Sequence, residues 1–494
     1  MKTVSTEIAI IGAGTAGMVA YRAATRTGAK RVMLIEGGVY GTTCARVGCM
    51  PSKLLIAAAE AMHHVQQAPQ FGVMPASVQV DGRAVMARVR AERDRFVGFV
   101  LDDIDRIPAA DRLHGYARFI SPLCLQVDEH TRIHAERIVI ATGSSPQVPD
   151  ALKELEQEPD NGPDNGTGNG LDKRLITSDA VFDWEDLPDS VAVIGAGAVG
   201  LEIGQALHRL GVRVSLFGRS GKLAQLSDPA VLAKAADYFA NEIDLRLRTD
   251  IVGAAADGDG ATLRTRGADG VERTDRYARV LAATGRRPNL ERLGLEHAGL
   301  ELDEAGVPKY DPRTMQCGSS PVFIAGDANT ELPILHEATD QGRIAGNNAA
   351  SYPDVHAHAR YVPFTVAFTD PQIVTVGQPY QALQENRCVI GEVSFENQGR
   401  SRVMLLQHGL LRVYADNHTG KLAGAEMFGP RAEHLGHLLA WACQQGMTLA
   451  DMLAMPFYHP TIEEGLRTAL RDAKKKMKTG LTPLEACTDC VPGA

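Results

Sequence analysis

EIAIIGAGTAG, residues 7–17, joins an apolar strand pattern to a glycine-rich turn. A helical run follows it, and the next apolar stretch ends on Glu36. In this G-x-G-x-x-G pattern, Gly12 permits a tight turn, Gly14 lets the backbone approach a pyrophosphate, and Gly17 allows close packing of the helix on the strand. The order of strand, glycine turn, helix, strand and acid predicts a dinucleotide-binding unit in which Glu36 accepts hydrogen bonds from a ribose. A plain glycine-rich turn is the alternative.

The same pattern recurs in the middle of the chain as VAVIGAGAVG, residues 191–200. Its three glycines are Gly195, Gly197 and Gly200. Two complete fingerprints imply two nucleotide sites, and therefore an enzyme that couples one bound dinucleotide to a second. Here the second strand ends on Gly218 rather than on an acid, with Arg219 next and Lys222 one turn on. Loss of the acid and gain of cations favour the 2′-phosphate of NADP, whereas solvated cations beside bound NAD are the alternative.

Another informative stretch, GTTCARVGCMPSK at residues 41–53, lies between the two fingerprints. Cys44 and Cys49 stand five positions apart, just before an alanine-rich helical run. If Cys44 begins that helix, the two sulfur atoms lie about one turn apart on one face, which is close enough for a disulfide. The helix N-terminus also favours a thiolate. The stretch therefore predicts a redox-active dithiol, although the C-x4-C pattern on its own favours two ordinary thiols.

Three further strand patterns end in small residues, which would let the chain pass close to a cofactor. They are ATGSSP at 141–146, ATGRRPN at 283–289 and FIAGD at 323–327. A plain turn, or a cap in the case of Asp327, is the alternative for each of them.

From about residue 351 the pattern changes to α+β, which predicts a separate third domain. Near its end, YHPTIEE at 458–464 places Glu464 five positions after His459. A carboxylate at that spacing can orient an imidazole and support its charged form, so the pair is a candidate acid–base. On its own, a histidine–proline step in a loop is more often structural.

Composition excludes several classes of function. The 494 residues suggest about three domains, at roughly 150 residues each. The formal net charge of −9 and the lack of a basic stripe argue against nucleic-acid binding. No apolar run reaches the roughly 20 residues of a membrane span, and the N-terminus shows no signal-peptide pattern, so we expect a cytoplasmic protein without membrane contact. Cysteine usage is not that of a disulfide scaffold, and no metal site is predicted.

Two segments are assigned no chemistry. Residues 153–172 are rich in Gly, Asn, Asp and Pro and are expected to form a mobile surface loop. The tail at 481–494 contains Cys487 and Cys490 and is expected to be flexible, with spare thiols. A second redox pair is the alternative for these two cysteines.

Together these stretches resemble the FAD-dependent pyridine nucleotide-disulfide oxidoreductases (class I), and most closely their dihydrolipoamide dehydrogenase branch. The resemblance runs from about residue 5 to 472 and is carried, in order, by IIGAGTAG, GTTCARVGCMPSK, ATGSSP, VIGAGAVGLE, ATGRRPN, FIAGD and YHPTIEE. It implies an α/β fold with two Rossmann-like dinucleotide-binding domains and a C-terminal α+β dimerisation domain. The implied boundaries are 1–150 and 277–350 for the FAD-binding domain, 151–276 for the NAD(P)-binding domain and 351–480 for the dimerisation domain.

The resemblance also implies roles for single residues. FAD would lie on the first fingerprint, with contacts from Glu36, Lys53, Ala117, Thr142, Gly143 and Asp327. Lys53 would pair with Glu202 close to the flavin. NAD(P)H would lie on residues 195–200, with Arg219 and Gly285 beside it.

The implied division of labour places Cys49 against the flavin as a thiolate and leaves Cys44 to exchange with the substrate. His459, held by Glu464, would serve as the acid–base and would come from the opposite subunit. A homodimer is therefore implied.

The substrate stays open at this stage. The leading hypothesis is electron transfer between NAD(P)(H), FAD, the Cys44–Cys49 disulfide and dihydrolipoamide or lipoamide, either as a small molecule or on a lipoyl domain. An NADPH-dependent reductase of glutathione or another low-molecular-weight disulfide is one alternative, because the strand end at Gly218 and Arg219 resembles those enzymes. A flavin-only NAD(P)H oxidase, quinone reductase or transhydrogenase is the alternative from another class. Phe457 stands where lipoamide enzymes usually carry a histidine.

Overall fold

The computed structural model of the chain describes residues 1–155, 174–384 and 387–477. Most of the low-complexity segment at 153–172 lies outside the described residues, and so does the tail with Cys487 and Cys490.

The first part of the chain builds one nucleotide-binding sheet and the helices around it. Its elements are β1 (Lys2–Ile11), α1 (Thr15–Thr27), β2 (Val32–Glu36), α2 (Thr43–Arg46), α3 (Cys49–Gln67), α4 (Gly82–Asp105), β3 (Arg112–His114), β4 (Ala117–Ser121), β5 (Cys124–Val127), β6 (Thr131–Ile140) and β7 (Ser144–Pro146). The strand order is β3-β2-β1-β6-β5-β4, with the first four strands parallel. The last residues of β1 are fully buried, as expected of a parallel strand covered on both faces.

The middle of the chain forms a second unit with its own parallel sheet. Its elements are β8 (Leu175–Thr177), β9 (Ser190–Ile194), α5 (Ala198–Arg209), β10 (Arg213–Gly218), α6 (Pro229–Glu242), β11 (Asp244–Leu247), β12 (Asp250–Asp257), β13 (Gly260–Arg266), β14 (Glu272–Tyr277) and β15 (Arg279–Ala282). The parallel order is β11-β10-β9-β15-β8, and β12-β13-β14 form a separate antiparallel sheet.

The boundary after residue 276 needs a correction. Strand β15 pairs in parallel with both β9 and β8, so it belongs to the second sheet. The sequence pattern did not show this, because β15 follows the antiparallel strands and its partners lie far away along the chain. The second unit therefore extends to the end of β15.

The chain then returns to the first unit through β16 (Arg286–Pro288), β17 (Val322–Ile324) and α7 (Leu335–Ser351). Strand β16 pairs with β7, and β17 adds to the first sheet beside β6. The first unit is thus built from two separate segments, with the second unit inserted between them.

The C-terminal part is an antiparallel sheet packed against helices. Its elements are β18 (Phe364–Ala367), β19 (Gln372–Gly377), β20 (Cys388–Ser394), α8 (Gly399–Val403), β21 (Leu410–Asp416), β22 (Leu422–Gly429), α9 (Ala432–Gln444), α10 (Leu449–Leu453) and α11 (Glu463–Lys476). The strand order is β18-β19-β22-β21-β20, and it has its own buried core. The predicted fold class, two Rossmann-like units and an α+β domain, is confirmed.

Across the described ranges, none of the helices combines the length and the apolar composition that crossing a bilayer requires. The cytoplasmic location stays a prediction from the sequence.

Helix α7 holds α1, and therefore the first glycine turn, in place. A Cβ on Gly342 would lie 2.4 Å from the carbonyl oxygen of Ala16, and one on Gly346 would lie 2.3 Å from that of Ala20. These glycines let the two helix backbones touch, because any side chain there would push α7 away from α1.

We expect Gly346→Ala to destabilise the protein by about 1–3 kcal/mol, the range for overpacking a tight contact, even though alanine is the better helix former. Gly98→Ala is the matched control, since Gly98 lies in α4 with nothing within 4 Å of an added Cβ. It should be neutral or slightly stabilising. Thermal unfolding at equal protein and FAD concentrations measures both, and equal melting temperatures for the two variants would contradict the packing argument.

Candidate active site

The first fingerprint is folded as a tight turn. Gly12 has φ +108°, and a Cβ there would lie 2.2 Å from the Ala141 carbonyl oxygen. A Cβ on Gly17 would lie 1.8 Å from the Gly12 carbonyl oxygen, whereas Gly14 has nothing within 4 Å. Two of the glycines are thus required by the chain's own packing, and the space beside Gly14 is open at the N-terminus of α1. This is the arrangement that a pyrophosphate needs.

The residues predicted to contact FAD gather at the carboxyl ends of the same strands. The carboxylate of Glu36 accepts hydrogen bonds from the backbone N–H groups of Ala13, at 2.7 Å, and Gly38, at 2.8 Å. Ser144 Oγ donates to Asp327 at 2.7 Å, which brings two of the small-residue strand ends together. The hydroxyl of Thr142 is buried and has no hydrogen-bond partner among the described residues. An orphaned polar atom at this place fits a ligand that supplies the missing hydrogen bond.

Two of the other residues predicted for FAD are placed nearby. Ala117 is buried at the start of β4, after the turn that follows β3. Gly143 adopts φ +68° between Thr142 and Ser144. The residues present therefore fit FAD at this end of the first sheet.

The second fingerprint repeats the geometry of the first. Gly195 has φ +120°, and its Cβ would lie 2.2 Å from the Ala283 carbonyl oxygen. A Cβ on Gly200 would lie 1.9 Å from the Gly195 carbonyl oxygen, and Gly197 again has nothing within 4 Å. Gly285 follows at φ +104°. A second dinucleotide therefore fits the N-terminus of α5.

The two cysteines of the predicted dithiol lie on two different helices, which corrects the expectation that Cys44 begins the long helix. Cys44 lies in the short helix α2, and Cys49 is the first residue of α3. Thr42 precedes α2 with φ +56°, and its hydroxyl accepts a hydrogen bond from the Ala45 backbone at 3.3 Å. The chain turns at Gly48 between the helices. The N-terminus of the long helix α3 therefore lies at Cys49 and not at Cys44, and it favours the thiolate form of Cys49.

The two thiols are chemically unequal. Both are free, and the hydrogen bond that Cys44 donates to the sulfur of Cys49 is the largest of the effects that together lower the pKa of Cys49 to about 7. The positive charge of Lys53 contributes to this lowering, whereas burial and the Glu202 charge oppose it. The same hydrogen bond, with burial, raises the pKa of Cys44 well above its usual range. Cys49 is therefore the thiolate and Cys44 the thiol.

Lys53 and Glu202, predicted to pair, form an ion pair of 2.8 Å. Glu202 is buried, and its other oxygen accepts a hydrogen bond from the Phe368 backbone N–H at 2.8 Å. The Lys53 ammonium also lies 4.4 Å from the centroid of the Phe368 ring. One carboxylate thus joins α3, α5 and the C-terminal domain.

A cavity of about 330 Å³ lies against Cys44 between α1, α4 and the start of α7. Its walls are mostly apolar, with side chains that include Met18, Val19, Met50, Phe96, Phe99 and Leu335. The charged residues that line it are Arg22 and Asp103, which pair with each other at 2.9 Å.

The predicted acid–base pair is formed in the C-terminal domain. His459 Nδ1 lies 3.0 Å from Glu464 Oε2, and Glu464 also accepts hydrogen bonds from the Thr461 backbone and from Arg467, both at 3.3 Å. The Glu464 side chain is 6% exposed, whereas that of His459 is 69% exposed. Within the residues that the structure describes, no hydrogen bond or ion pair joins His459 to either redox cysteine.

The pyridine nucleotide-disulphide oxidoreductase model matches residues 6–342, and the dimerisation-domain model of the same family matches residues 363–470. The chain belongs to this family. The family uses FAD and NAD(P)H, and both cofactors are consistent with the two glycine cradles. The resemblance on which the sequence predictions relied is therefore confirmed.

The relatives in this family include enzymes with different substrates. The chain is 30% identical to the dihydrolipoyl dehydrogenase of Thermus scotoductus, over 95% of this chain and 98% of the relative. It is 31% identical to a mercuric reductase of Streptomyces lividans, over 97% of this chain and 98% of the relative. Sequence identity at this level shows the family and leaves the substrate open.

Solved structures show the same fold. LpdA from Mycobacterium tuberculosis superposes with a TM-score of 0.78 at 23% identity, covering 94% of this chain and 99% of that one. The HOCl-induced flavoprotein disulfide reductase RclA from Escherichia coli gives a TM-score of 0.77 at 21% identity, covering 94% and 99% of the two chains. This likeness concerns the fold alone.

The sequence predictions missed two residues of the site, Phe368 and Arg22. Phe368 lies in a loop without a recognisable motif, and its contact with Glu202 joins positions 166 apart in the chain. Arg22 stands four positions after Met18 on α1, so the two side chains lie on one face of the helix, but nothing in the sequence indicated that this face borders Cys44.

The inequality of the thiols leads to a pH prediction. In the reduced enzyme the Cys49 thiolate should be lost as the pH falls through about 7. Its titration can be followed by the long-wavelength absorbance of a thiolate beside oxidised flavin. Cys44→Ala removes the hydrogen bond to Cys49, so the midpoint should move upward, toward the ordinary value of 9.0. Cys388→Ala, which changes a half-buried thiol in the C-terminal domain, should leave the midpoint in place. An unchanged midpoint in Cys44→Ala would show that this hydrogen bond does not set the pKa.

Proposed function

We propose that the protein is a homodimeric oxidoreductase of the dihydrolipoyl dehydrogenase type. It transfers electrons between NAD(P)(H), FAD, the Cys44–Cys49 pair and a dithiol or disulfide substrate of the lipoyl class. The observation that carries this proposal is the apolar cavity against Cys44.

The cavity favours a lipoyl group over glutathione disulfide. A lipoyl group presents a cyclic disulfide on an alkyl chain, and each buried methylene stabilises binding by about 0.8 kcal/mol. Glutathione disulfide carries several carboxylates, which need unpaired cations to bind well. Among the described residues that line this cavity, Arg22 is the only cation, and it is paired with Asp103. Asp103 also accepts a hydrogen bond from Arg106 at 2.9 Å, so this carboxylate is itself well held.

Disulfide reduction follows from the inequality of the two thiols. Once deprotonated, the Cys44 sulfur attacks one substrate sulfur; a mixed disulfide forms, and the other substrate sulfur leaves and takes up a proton. The Cys49 thiolate then attacks Cys44, which closes the Cys44–Cys49 disulfide and releases the second substrate sulfur. Bound FAD supplies the step that no side chain can perform, since it accepts a hydride and passes on an electron pair. Dihydrolipoamide oxidation runs through the same steps in reverse.

His459 acts as the acid–base of this exchange. It takes the proton from Cys44, whose raised pKa would otherwise keep that sulfur protonated, and returns a proton to the departing substrate sulfur. Glu464 holds the imidazole through Nδ1, which leaves Nε2 free to transfer the proton. The family resemblance implies that the His459 of the partner subunit serves each Cys44, and the exposure of His459 in its own chain is consistent with this.

The C-terminal domain supports the homodimer. It matches the family's dimerisation domain over residues 363–470. Helix α9 also presents Leu438 and Trp441 to solvent, and the Trp441 side chain is among the most exposed large apolar groups. An exposed apolar face on a dimerisation domain suits contact with a second copy of the chain.

The two glycine cradles support the proposed cofactor positions. Gly12, Gly14 and Gly17 carry the FAD pyrophosphate, and Glu36 binds the ribose. Thr142, Gly143, Ala117, Asp327 and Lys53 make the remaining contacts with FAD. NAD(P)H would be held by Gly195, Gly197 and Gly200, with Arg219 and Gly285 beside it.

Steady-state turnover of the purified enzyme tests this function directly. We expect lipoamide or dihydrolipoamide to give the highest kcat/KM in a comparison with glutathione disulfide, thioredoxin and Hg(II), each with both nicotinamides. Cys49→Ser should abolish turnover of the disulfide, because the mixed disulfide on Cys44 then has no thiol to resolve it. Reduction of ferricyanide by NAD(P)H, which needs only the flavin, is the control for cofactor binding. Full disulfide activity in Cys49→Ser, or a clear preference for another acceptor, would contradict the proposal.

The charge of the cavity can be changed by one substitution. Asp103→Asn removes the carboxylate from Arg22, so an anionic disulfide should gain relative to lipoamide by roughly two- to fivefold in kcat/KM, the scale of one partly exposed ion pair. Asp102→Asn is the matched control, because Asp102 is the exposed neighbour on α4 and does not line the cavity. If the two variants have the same ratio of activities, the Arg22–Asp103 pair does not set the preference.

A further inference from the structure

The end of β10 carries Gly218 where an NAD site would have the acid that holds an adenosine ribose, and the space for a side chain there is narrow. Gly218 is buried, and a Cβ there would lie 2.7 Å from Cδ2 of Leu247 and 3.1 Å from Cβ of Ala196. An acidic side chain at this position would require the Leu247 side chain at the end of β11 to shift. Recognition of the adenosine end must therefore come from other groups.

A second turn lies directly against this strand end. The Thr249 backbone N–H donates to the Gly218 carbonyl at 3.0 Å, and the Arg248 N–H donates to the Ser220 carbonyl at 3.3 Å. The guanidinium of Arg248 lies over Gly221, since a Cβ there would be 3.1 Å from Arg248 Nε. The turns at 218–222 and 247–249 therefore form one surface, although they are about 30 residues apart in the chain.

The backbone of Arg248 is unusual for an arginine. Its φ is +53°, in the left-handed region that favours glycine and, among other residues, asparagine. Glycine or asparagine would adopt this backbone conformation with less strain than arginine. An arginine held there indicates a use for its side chain.

The cations of this surface lack counter-charges. Arg219, Lys222 and Arg248 are exposed, and none of them has a carboxylate partner in the described part of the chain. Arg246, two residues from Arg248, is by contrast neutralised by Asp244 at 2.8 Å and by Asp275 at 2.6 Å. Positive charge is thus left free at the strand end where the adenosine ribose of a dinucleotide on α5 would lie.

We propose that Arg248 binds the 2′-phosphate of NADPH, with Arg219 and Lys222 beside it, and that this contact makes the enzyme prefer NADPH to NADH. A guanidinium matches a phosphate through paired hydrogen bonds, which a single lysine cannot provide. The inference rests on the proposed nicotinamide site at residues 195–200 and is independent of the disulfide substrate.

Binding of 2′,5′-ADP and 5′-AMP to the oxidised, FAD-loaded enzyme tests the contact, because the two probes differ in the 2′-phosphate. Calorimetry should show that the unchanged protein binds 2′,5′-ADP more tightly. Arg248→Asn keeps the left-handed backbone accessible and should weaken binding of 2′,5′-ADP roughly tenfold or more, with 5′-AMP changed less than about twofold. The affinity of Arg248→Lys for 2′,5′-ADP should lie between that of the unchanged protein and that of Arg248→Asn. Arg264→Asn is the control for net charge, since Arg264 is exposed on β13 in the same unit.

Three results would overturn the proposal. The first is equal affinity of the unchanged protein for the two probes. The second is an equal loss of affinity for both probes in Arg248→Asn. The third is a loss of 2′,5′-ADP affinity in Arg248→Asn that is no larger than the loss in Arg264→Asn. Thermal unfolding of each variant shows whether the fold is intact, and Arg248→Lys provides the test if Arg248→Asn unfolds. Neither probe reacts with Cys44, so a failure of the lipoyl hypothesis would leave these affinities unchanged.

Discussion

The buried carboxylate of Glu202 is the contact on which the geometry of the site depends. It accepts hydrogen bonds from the Lys53 ammonium and from the Phe368 backbone, both at 2.8 Å. Glu202 and these two partners belong to three parts of the chain, since Lys53 lies on α3, Glu202 on α5 and Phe368 just after β18. A buried charge without partners would cost several kcal/mol, so these contacts must form together. The two nucleotide-binding units and the C-terminal domain are thereby held against the helix that begins with Cys49.

The contacts of Lys53 and Glu202 also influence the pKa of Cys49. Lys53 is one turn along α3 from Cys49, and its charge helps to lower the pKa of that thiol, while Glu202 limits the effect. The largest contribution is the hydrogen bond from Cys44, which is available because α2 and α3 are separate helices and the chain turns between them. The break between α2 and α3 therefore has a chemical consequence. It allows the Cys44 thiol to donate a hydrogen bond to the Cys49 sulfur, which gives the two thiols different pKa values.

Local patterns in the sequence predicted those parts of the structure that depend on neighbouring residues. Each fingerprint folds as its glycines require, because Gly12 and Gly17 make their close contacts within a single strand–turn–helix unit and the strand beside it. The pairing of Lys53 with Glu202 was expected only through the family resemblance, since the two residues are 149 positions apart. Other features depend on distant contacts that no local pattern reveals. The membership of β15 in the second sheet, the position of Arg22 beside Cys44 and the approach of Arg248 to Gly221 are of this kind.

The cavity beside Cys44 and the surface at the end of β10 differ in whether their cations have carboxylate partners. Beside Cys44, the Arg22 side chain is paired with a carboxylate, so the cavity there presents mainly apolar surface. At the end of β10, Arg219, Lys222 and Arg248 have no carboxylate partners among the residues that the structure describes. An unpaired guanidinium gains most from a phosphate, whereas a paired one offers little to an anion and does not repel an alkyl chain. Under the two proposals above, the same residue type would give opposite selectivity at the two sites, and the difference would lie in whether the fold places an aspartate within reach.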